Sequence, residues 1–419
     1  MSARLDPIDA GGRWAGNGMI GTLLQSAWGN ARSWITIALL ALLTTESIVS
    51  AFTYPFFSLA LDQQDLPGWL IGLNASLAGA GILIVGPFLP RLISAFGLSR
   101  LVASLFALAS MCFAAILLMD HVFVWFATRF VMGACFAALW ATTEIWLNGA
   151  VDDRRRGRVM VLAMVLYTGA QAVGPLLVSV TGPSGSVPLV AAMLPLAIGA
   201  LVAVCVRSEA GSEQGAGHAE PERFGLVQAF GTARTLIVLS FAIGLVSTAV
   251  LSLLPVFAVG IGLNDDVASQ LVSLFGLGEL ILVVALGGVA DRFDRHHLMR
   301  FYALPTLLIA AVLPLFAWHV SILAVLMFFA GGCLGGIYTL GLILIGQDFR
   351  GQRLAVVSTG FVMAYSAGSM IGSTPIGLLI DLFGPNAFIG CVSLGLLVVA
   401  ACVAPRPSMF VGRSAQPAS

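Results

Sequence analysis

The chain alternates between long apolar runs and short polar connections. Twelve runs of about 20 to 28 residues consist mainly of Leu, Val, Ala, Ile, Phe and Gly. Each is long enough to cross a bilayer core of roughly 30 Å as a helix. A membrane barrel would instead show alternating segments of about ten residues, so the pattern predicts twelve membrane-spanning helices. They occupy approximately 35–59, 68–90, 100–119, 122–148, 158–181, 187–206, 235–261, 268–290, 298–317, 319–347, 354–380 and 385–404.

Composition supports a membrane protein made entirely of helices. Of 419 residues, 59% are hydrophobic and 10% are charged, whereas soluble domains carry about 25% charged residues. A soluble protein of this length has too little interior to bury so much apolar surface. We therefore expect the lipid bilayer to surround most of the chain.

The basic residues predict the orientation of the chain. There is no lysine, so all twenty basic residues are arginines, and between spans they cluster in alternate connections. The other connections, such as LDQQDLPG and GLNDD, contain none. The positive-inside rule then places both termini in the cytoplasm. We expect a multi-pass protein of the inner (plasma) membrane. The first 34 residues are polar, and we expect no signal peptide there.

The domain organisation predicted from the sequence is two halves of six spans each. The long polar connection 207–234 joins a bundle at 35–206 to a bundle at 235–404, with tails at 1–34 and 405–419. A shift of 198 residues superimposes part of one half on the other. The matching residues are Gly133, Cys135, Trp140, Tyr167 and Gly174 with Gly331, Cys333, Tyr338, Tyr365 and Gly372. Two parallel repeats around a central site are a transporter architecture.

Two connections and one span contain motifs that resemble those of the major facilitator superfamily. GGVADRFDRHHLMR is similar to its G-x-x-x-D-R-x-x-R motif through Gly287, Asp291, Arg292 and Arg295. The corresponding motif in the connection after the second span keeps Gly86, Arg91, Gly97 and Arg100. Pro90 stands where the superfamily usually has Asp. The fourth span resembles the superfamily's fourth-helix motif through Arg129, Gly133 and Ala137.

Three further runs, P-R-L-I-x-x-F-G, E-I-W-L-N and R-G-R-V, resemble the YcaD-like branch of predicted transporters. The resemblance covers essentially all twelve spans and implies two pseudo-symmetric six-helix bundles. It also implies a cytoplasmic gate, in which Glu144 pairs with an arginine of the connection after the second span. The expected gate residues are Arg91, Arg100, Glu144, Asp291, Arg292 and Arg295.

Two glutamates lie near the middle of predicted spans. Glu46 is in the first span and Glu279 in the eighth, where an ionised side chain costs roughly 2.5 to 3.5 kcal/mol or more. Such a carboxyl group must face a wet cavity, pair with a cation or take up a proton. Both are therefore candidate proton-coupling groups, and the alternative is a neutral glutamic acid with a structural hydrogen bond between helices.

Arg129 has two open interpretations. It either binds a substrate anion or tunes a nearby carboxylate, or it forms a structural pair that locks the fourth span to the first. Other scarce polar and aromatic groups in the spans suit a flat or amphipathic organic solute. The candidate substrate-binding residues are Arg129, Asn74, Trp140, Tyr167, Gln171, Tyr338 and Tyr365.

The direction of transport stays open. The run G-A-Q-A-V-G-P in the fifth span resembles a motif associated with antiporters, but Val178 and Ser179 replace its usual trailing glycines. Small residues at this spacing also permit close helix packing. Uptake of a vitamin-like nutrient and efflux of a drug or metabolite are both compatible with the motif.

Other function classes fit the sequence poorly. An ATP-driven pump needs a phosphate-binding loop with a lysine, which this chain lacks. The sequence contains no H-E-x-x-H or G-x-S-x-G motif, and its six cysteines show no C-x-x-C spacing. We expect a monomeric secondary transporter, not an enzyme, with no cofactor, metal or nucleic acid, whose partners are a small organic solute and protons. A non-transporting sensor with a transporter fold is the remaining alternative.

Overall fold

A computed structural model describes residues 33–119, 121–206, 226–289 and 293–403. Nearly all of the two predicted tails, most of the 207–234 linker, Asp291 and Arg292 lie outside these ranges. The described residues form thirteen α-helices and one 3-10 turn. In chain order they are Ser33–Asp62, Gly68–Val85, Gly86–Phe88 (the 3-10 turn), Leu89–Phe96, Leu98–Leu118, Val122–Ala150, Asp153–Thr181, Ser186–Cys205, Leu226–Gly260, Asp265–Val289, Arg295–Phe316, Val320–Asp348, Gly351–Phe383 and Asn386–Val403.

These helices supply the twelve predicted spans. Twelve helical segments of the described chain are long and apolar enough to cross a membrane, which confirms the predicted fold class. The second span is composite, because two helices flank the 3-10 turn within Gly68–Phe96. Pro87 and Pro90 lie at this turn, and a proline cannot donate the backbone hydrogen bond of a continuous α-helix.

Several helices begin before their apolar runs. The fifth span starts at Asp153, five residues earlier than predicted, and therefore carries its exposed arginines on a helical extension. Arg156 forms an exposed ion pair with Asp153 at 2.7 Å, which contributes at most about 1 kcal/mol. A helix can continue into water beyond the bilayer, so hydropathy alone misplaced this boundary.

Glycine contacts repeat between the two halves. Gly133 of the fourth span packs on the backbone of Ala78 in the second span, and Gly331 of the tenth packs on Phe275 in the eighth. In the same way Gly174 of the fifth span meets the first span, and Gly372 of the eleventh meets Leu245 in the seventh. An added Cβ at any of these glycines would crowd the neighbouring helix. The structure therefore contains two six-helix bundles built on the same packing plan.

The two ends of the bundles differ in charge. We call the end with the arginine-bearing connections the arginine face, and the opposite end the acidic face. The connections of the acidic face contain Asp62, Asp65, Asp265 and Asp266. The first and fifth spans run from the arginine face to the acidic face, and the second and eighth run back.

The second and eleventh spans hold the halves together at the acidic face. Gly72 meets the backbone of Ser373, and Gly68 meets that of Gly377, so these two helices approach closely. The Asp381 carboxylate accepts hydrogen bonds from the backbone N–H groups of Gly68 (2.7 Å) and Trp69 (2.9 Å). A carboxylate of the second bundle thus caps a helix N-terminus of the first, where the helix dipole favours negative charge.

The fifth and eighth spans form another contact between the halves. The Ser179 hydroxyl donates to the Asp266 carbonyl at 3.1 Å, and Gly276 lies against Ala172. Further along, a Cβ at Gly169 would be 3.6 Å from the Leu280 side chain. These contacts run from the acidic face to about the middle of the spans.

The same two interfaces are open toward the arginine face. Continuing the fifth–eighth pairing by one turn brings Val165 opposite Val284, and these residues are 37% and 50% exposed. Continuing the second–eleventh pairing brings Gly86 opposite Val362. Val362 is 46% exposed, and no described residue lies within 4 Å of a Cβ at Gly86. The two interfaces are therefore closely packed toward the acidic face and separated toward the arginine face, and we call the gap between the halves on that side the cleft.

Candidate functional site

A carboxyl group and two tyrosines come together in the second half. The rings of Tyr338 and Tyr365 are 5.2 Å apart at 65°, and Glu279 lies close enough to interact electrostatically with both. Glu279 packs against Gly335 of the tenth span. A larger residue does not fit at this position, because a Cβ at Gly335 would come within 2.6 Å of the Glu279 Cγ. Three helices thus place this carboxyl group beside an aromatic pair.

The first half contains a matching arrangement. The rings of Trp140 and Tyr167 are 6.2 Å apart at 48°, and the Gln171 amide donates to the Tyr167 hydroxyl at 3.2 Å. Glu46 interacts electrostatically with Tyr167. The neighbouring Ser47 hydroxyl donates to the Tyr167 carbonyl at 2.8 Å and ties the first span to the fifth.

The aromatic pairs follow the internal repeat, but the glutamates do not. Trp140 and Tyr167 superimpose on Tyr338 and Tyr365 after the shift of 198 residues. The same shift places Glu46 on Gly244 and Glu279 on Gly81. Gly244 packs on the backbone of Tyr365, and Gly81 packs on that of Phe130. The two carboxyl groups therefore come from helices that are not equivalent in the repeat.

The cluster lies at the deep end of the cleft. Ser47 contacts Tyr167 and Leu280 contacts Gly169, so Glu46 and Glu279 lie at the same depth to within about one helical turn. The aromatic pairs and Glu279 are surrounded by protein on most sides yet keep exposed surface. Glu46 is only 3% exposed, and its Oε2 has no hydrogen-bond partner among the described residues.

Tyr54 connects this cluster to Arg129. Tyr54 of the first span interacts electrostatically with Glu46 and with Tyr365 of the other half. The Arg129 guanidinium carbon is 5.0 Å from the centre of the Tyr54 ring and 4.9 Å from that of Phe57. Arg129 also donates to the Thr53 hydroxyl and is 2% exposed.

The contacts of Arg129 are compatible with the structural alternative, and its role stays a prediction. It joins the fourth span to the first through cation–π contacts and one hydrogen bond. Within the described part of the chain it forms no ion pair with a carboxylate. The burial of its guanidinium leaves no open surface for a substrate anion.

Asn74 was predicted to bind substrate, and in the described state it is buried between two helices. It is 1% exposed, and its amide points to the Trp125 carbonyl at 3.4 Å, between the second and fourth spans. The sequence shows that Asn74 lies inside a span but not which side of the helix it occupies. The second span turns this residue toward its own bundle and away from the cleft.

Three of the predicted gate residues, Arg91, Arg100 and Glu144, do not form the expected ion pair in the described part of the chain. Arg91 and Arg100 are exposed, and Glu144 is half-buried. Arg295 starts the ninth span. Next to it, exposed Asp294 caps the helix, and hydrogen bonds from the His297 and His296 backbone N–H groups hold the pKa of Asp294 below its usual value. The predicted ion-pair latch is not formed while the arginine face is open.

Sequence reasoning missed Asp381. It is one of few acidic residues in the spans, and it follows an apolar run near a helix end. Its importance depends on the second span beginning beside it, because the backbone N–H groups of Gly68 and Trp69 have no partner within their own helix at that start. The sequence does not show which helix ends are neighbours.

A separate groove of about 560 Å³ lies between the second and eleventh spans. Its lining is almost entirely apolar and contains none of the carboxyl or aromatic pairs described above. The lining residues are Trp69, Leu73, Ser76, Leu77, Ala80, Met370, Ile371, Thr374, Pro375 and Leu378. This groove is not part of the candidate site.

Comparison with known families and proteins agrees with this architecture. The sequence model of the Major Facilitator Superfamily matches residues 35–372, with a second match over 236–416. The chain is 22% identical over 352 residues to the uncharacterized MFS-type transporter YfkF of Bacillus subtilis, a match that covers 82% of this chain and 88% of YfkF.

Solved structures share the fold at low sequence identity. The crystal structure of the nucleoside transporter NupG superimposes with a TM-score of 0.73 and 12% identity, covering 88% of this chain and 98% of that one. The D-xylose-proton symporter gives a TM-score of 0.66 and 16% identity, covering 87% and 96%. At these identities the likeness concerns the fold alone.

Proposed function

Because the chain belongs to the major facilitator superfamily, whose members are membrane transporters and not enzymes, we propose that it is a secondary active transporter coupled to protons. In this proposal it moves a small organic solute across the inner membrane by alternating access. One observation carries it: two carboxyl groups without a cationic partner lie beside aromatic pairs at the deep end of a cleft that is closed on one side only.

The contacts between the halves support alternating access. They consist of glycine approaches and a few hydrogen bonds, with the Asp381 cap at the end. Such contacts can break without disturbing the packing inside either bundle. States that differ by a few kcal/mol are readily shifted by a ligand that binds one of them better. Rocking of the halves would close the arginine face as the acidic face opens.

The glutamates support coupling to protons. Within the described residues, neither Glu46 nor Glu279 forms an ion pair, and a buried carboxylate without a partner is strongly destabilised. Each group therefore binds a proton or a positively charged ligand. Exchange of that proton in the two states would couple its gradient to the solute.

The arginines support the orientation. We infer that the arginine face and both termini are cytoplasmic, so the described state is open to the cytoplasm. Closing this side would bring Glu144 toward Arg91 and Arg100. We also propose that a monomer suffices, because both aromatic pairs and both glutamates come from one chain. Membership of the YcaD-like branch stays a prediction.

Glutamine substitutions test the coupling. We expect Glu46→Gln and Glu279→Gln each to lower proton-driven transport by at least about tenfold, because a glutamine cannot exchange a proton. The measurement is flux into proteoliposomes under a pH gradient, with a solute found by a metabolite screen of a deletion strain. The control is Asp348→Asn, an exposed carboxylate at the arginine-face end of the tenth span. Full proton-driven flux in either variant would remove that residue from the mechanism.

Asp381→Asn tests the closure of the acidic face. We expect it to favour the state open at that face by roughly tenfold, because two hydrogen bonds to a charged acceptor become weaker. A cysteine introduced at Ser373, which is buried in the interface, should react faster with an impermeant maleimide in the Asp381→Asn background. Asp65→Asn, an exposed aspartate of the same face, is the matched control. Equal labelling rates with and without Asp381→Asn would contradict the cap's role.

A further inference from the structure

Resting on the proposed function, we propose that the deep end of the cleft binds an aromatic organic cation and that this cation exchanges with the proton of Glu279. The proposal names the substrate class of the site and implies exchange of cation for proton. Three features of the structure carry it: the sign of the available charge, the aromatic walls and the different accessibility of the two glutamates.

The charge available to a ligand in the cleft is negative. Glu279 keeps exposed surface at the deep end, and no described cation pairs with it. Arg129 is the arginine at comparable depth, but its guanidinium is 2% exposed and lies between the rings of Tyr54 and Phe57. An anion would have to displace the first span to reach it, whereas a cation meets Glu279 directly.

The walls of the site suit a flat cationic group. Tyr338 and Tyr365 stand edge to face beside Glu279, and Trp140 with Tyr167 offers a second pair. The faces of tyrosine and tryptophan rings attract a cation that lies within about 6 Å of their centres. Four of the five tyrosines of the chain belong to this region, namely Tyr54, Tyr167, Tyr338 and Tyr365.

The two glutamates differ in how a ligand reaches them. Glu46 is 3% exposed and interacts electrostatically with Tyr167, whereas Glu279 is partly exposed. The titratable groups facing Glu279 are Tyr338 of the tenth span and Tyr365 of the eleventh. The first and fifth spans add Glu46 and Tyr167 across the cluster. Glu279 is thus the carboxyl group positioned to contact the ligand.

The exchange balances in charge and protons. The neutral carboxylic acid of Glu279 releases its proton to water in the cleft, and the resulting carboxylate pairs with the incoming cation. Reprotonation of Glu279 from the other side releases the cation there. The proton and the cation compete for one carboxyl group, so each weakens the binding of the other.

Three probes of similar shape and different charge test the site. They are N-methylquinolinium, its neutral parent quinoline at mildly alkaline pH, and the anion naphthoate. Binding to the full chain in nanodiscs is measured by calorimetry, with no gradient present. We expect N-methylquinolinium to bind at least about tenfold more tightly than either other probe, because it alone carries a positive charge. At a pH low enough to keep ligand-free Glu279 protonated, a pH dye in weak buffer should report about one proton released for each cation bound.

Variants identify the groups responsible. We expect Glu279→Gln to weaken N-methylquinolinium binding about tenfold and to abolish the proton release. Tyr338→Phe should retain binding because the ring face remains, whereas Tyr338→Leu should lose it. Asp348→Asn should bind as the wild type does.

The outcomes separate this inference from the proposed function. Preferential binding of naphthoate or quinoline, or unchanged cation binding by Glu279→Gln, overturns the cation site. Proton-driven flux of a neutral or anionic solute would also overturn it while leaving the proposed function intact. If the cation binds with proton release but no gradient drives its flux in proteoliposomes, the site stands and the proposed transport function fails.

Discussion

Gly72→Leu is expected to abolish transport while leaving the protein folded. In the described state a Cβ at Gly72 would overlap the backbone of Ser373 in the opposite half, so a leucine opposes closure of the acidic face. Overpacking of this kind costs about 3 kcal/mol or more, which shifts a two-state population more than about 100-fold. The state open at the acidic face separates these helices and accommodates the side chain.

Two measurements distinguish a trapped transporter from a misfolded one. Gly72→Leu should elute as a single peak in size-exclusion chromatography with wild-type yield, yet show flux at least about 100-fold below wild type. A cysteine at Ser373 should become reactive from the acidic face in this background. Gly390→Leu is the matched control, since no described atom lies within 4 Å of a Cβ at Gly390 in the twelfth span. Normal flux in Gly72→Leu would show that the two spans need not approach this closely.

Gly278→Leu is expected to prevent folding. A Cβ at Gly278 of the eighth span would overlap the carbonyl of Phe328 in the tenth. Both helices belong to the same bundle, so alternating access offers no state in which they separate. The cost of about 3 kcal/mol or more is a large part of the roughly 5 to 15 kcal/mol that holds a typical domain folded.

The measurement for Gly278→Leu is yield and thermal stability. We expect little monodisperse protein after solubilisation, and an unfolding midpoint well below wild type in whatever is recovered. Gly390→Leu again serves as control, and it should match wild type in both. A stable, monodisperse Gly278→Leu protein would mean that the eighth and tenth spans can move apart at this level.

The two glycines illustrate what the sequence does and does not predict. Hydropathy predicted all twelve spans, and the repeat correctly paired Trp140 and Tyr167 with Tyr338 and Tyr365. Hydropathy and the internal repeat are both read from the order of residues along the chain. Neither distinguishes Gly72, which meets the opposite half, from Gly278, which meets its own bundle.

The side of the helix on which a residue lies was the main source of error. These spans are apolar around their whole circumference, so periodicity does not show which face turns inward. Asn74 was expected in the cleft and lies inside a bundle. Arg129 was left between two roles, because its neighbours Tyr54 and Phe57 belong to another span and are aromatic, not acidic. Asp381 was missed because its partner is a backbone end.

The separate origins of Glu46 and Glu279 have an evolutionary consequence. A symmetric transporter would carry its second pair of carboxyl groups at Gly81 and Gly244. Both glycines are pressed against the backbone of a neighbouring helix, at Phe130 and Tyr365, and a glutamate does not fit at either site. The two halves keep a common fold, but neither half has room for the carboxyl group that the other half contributes.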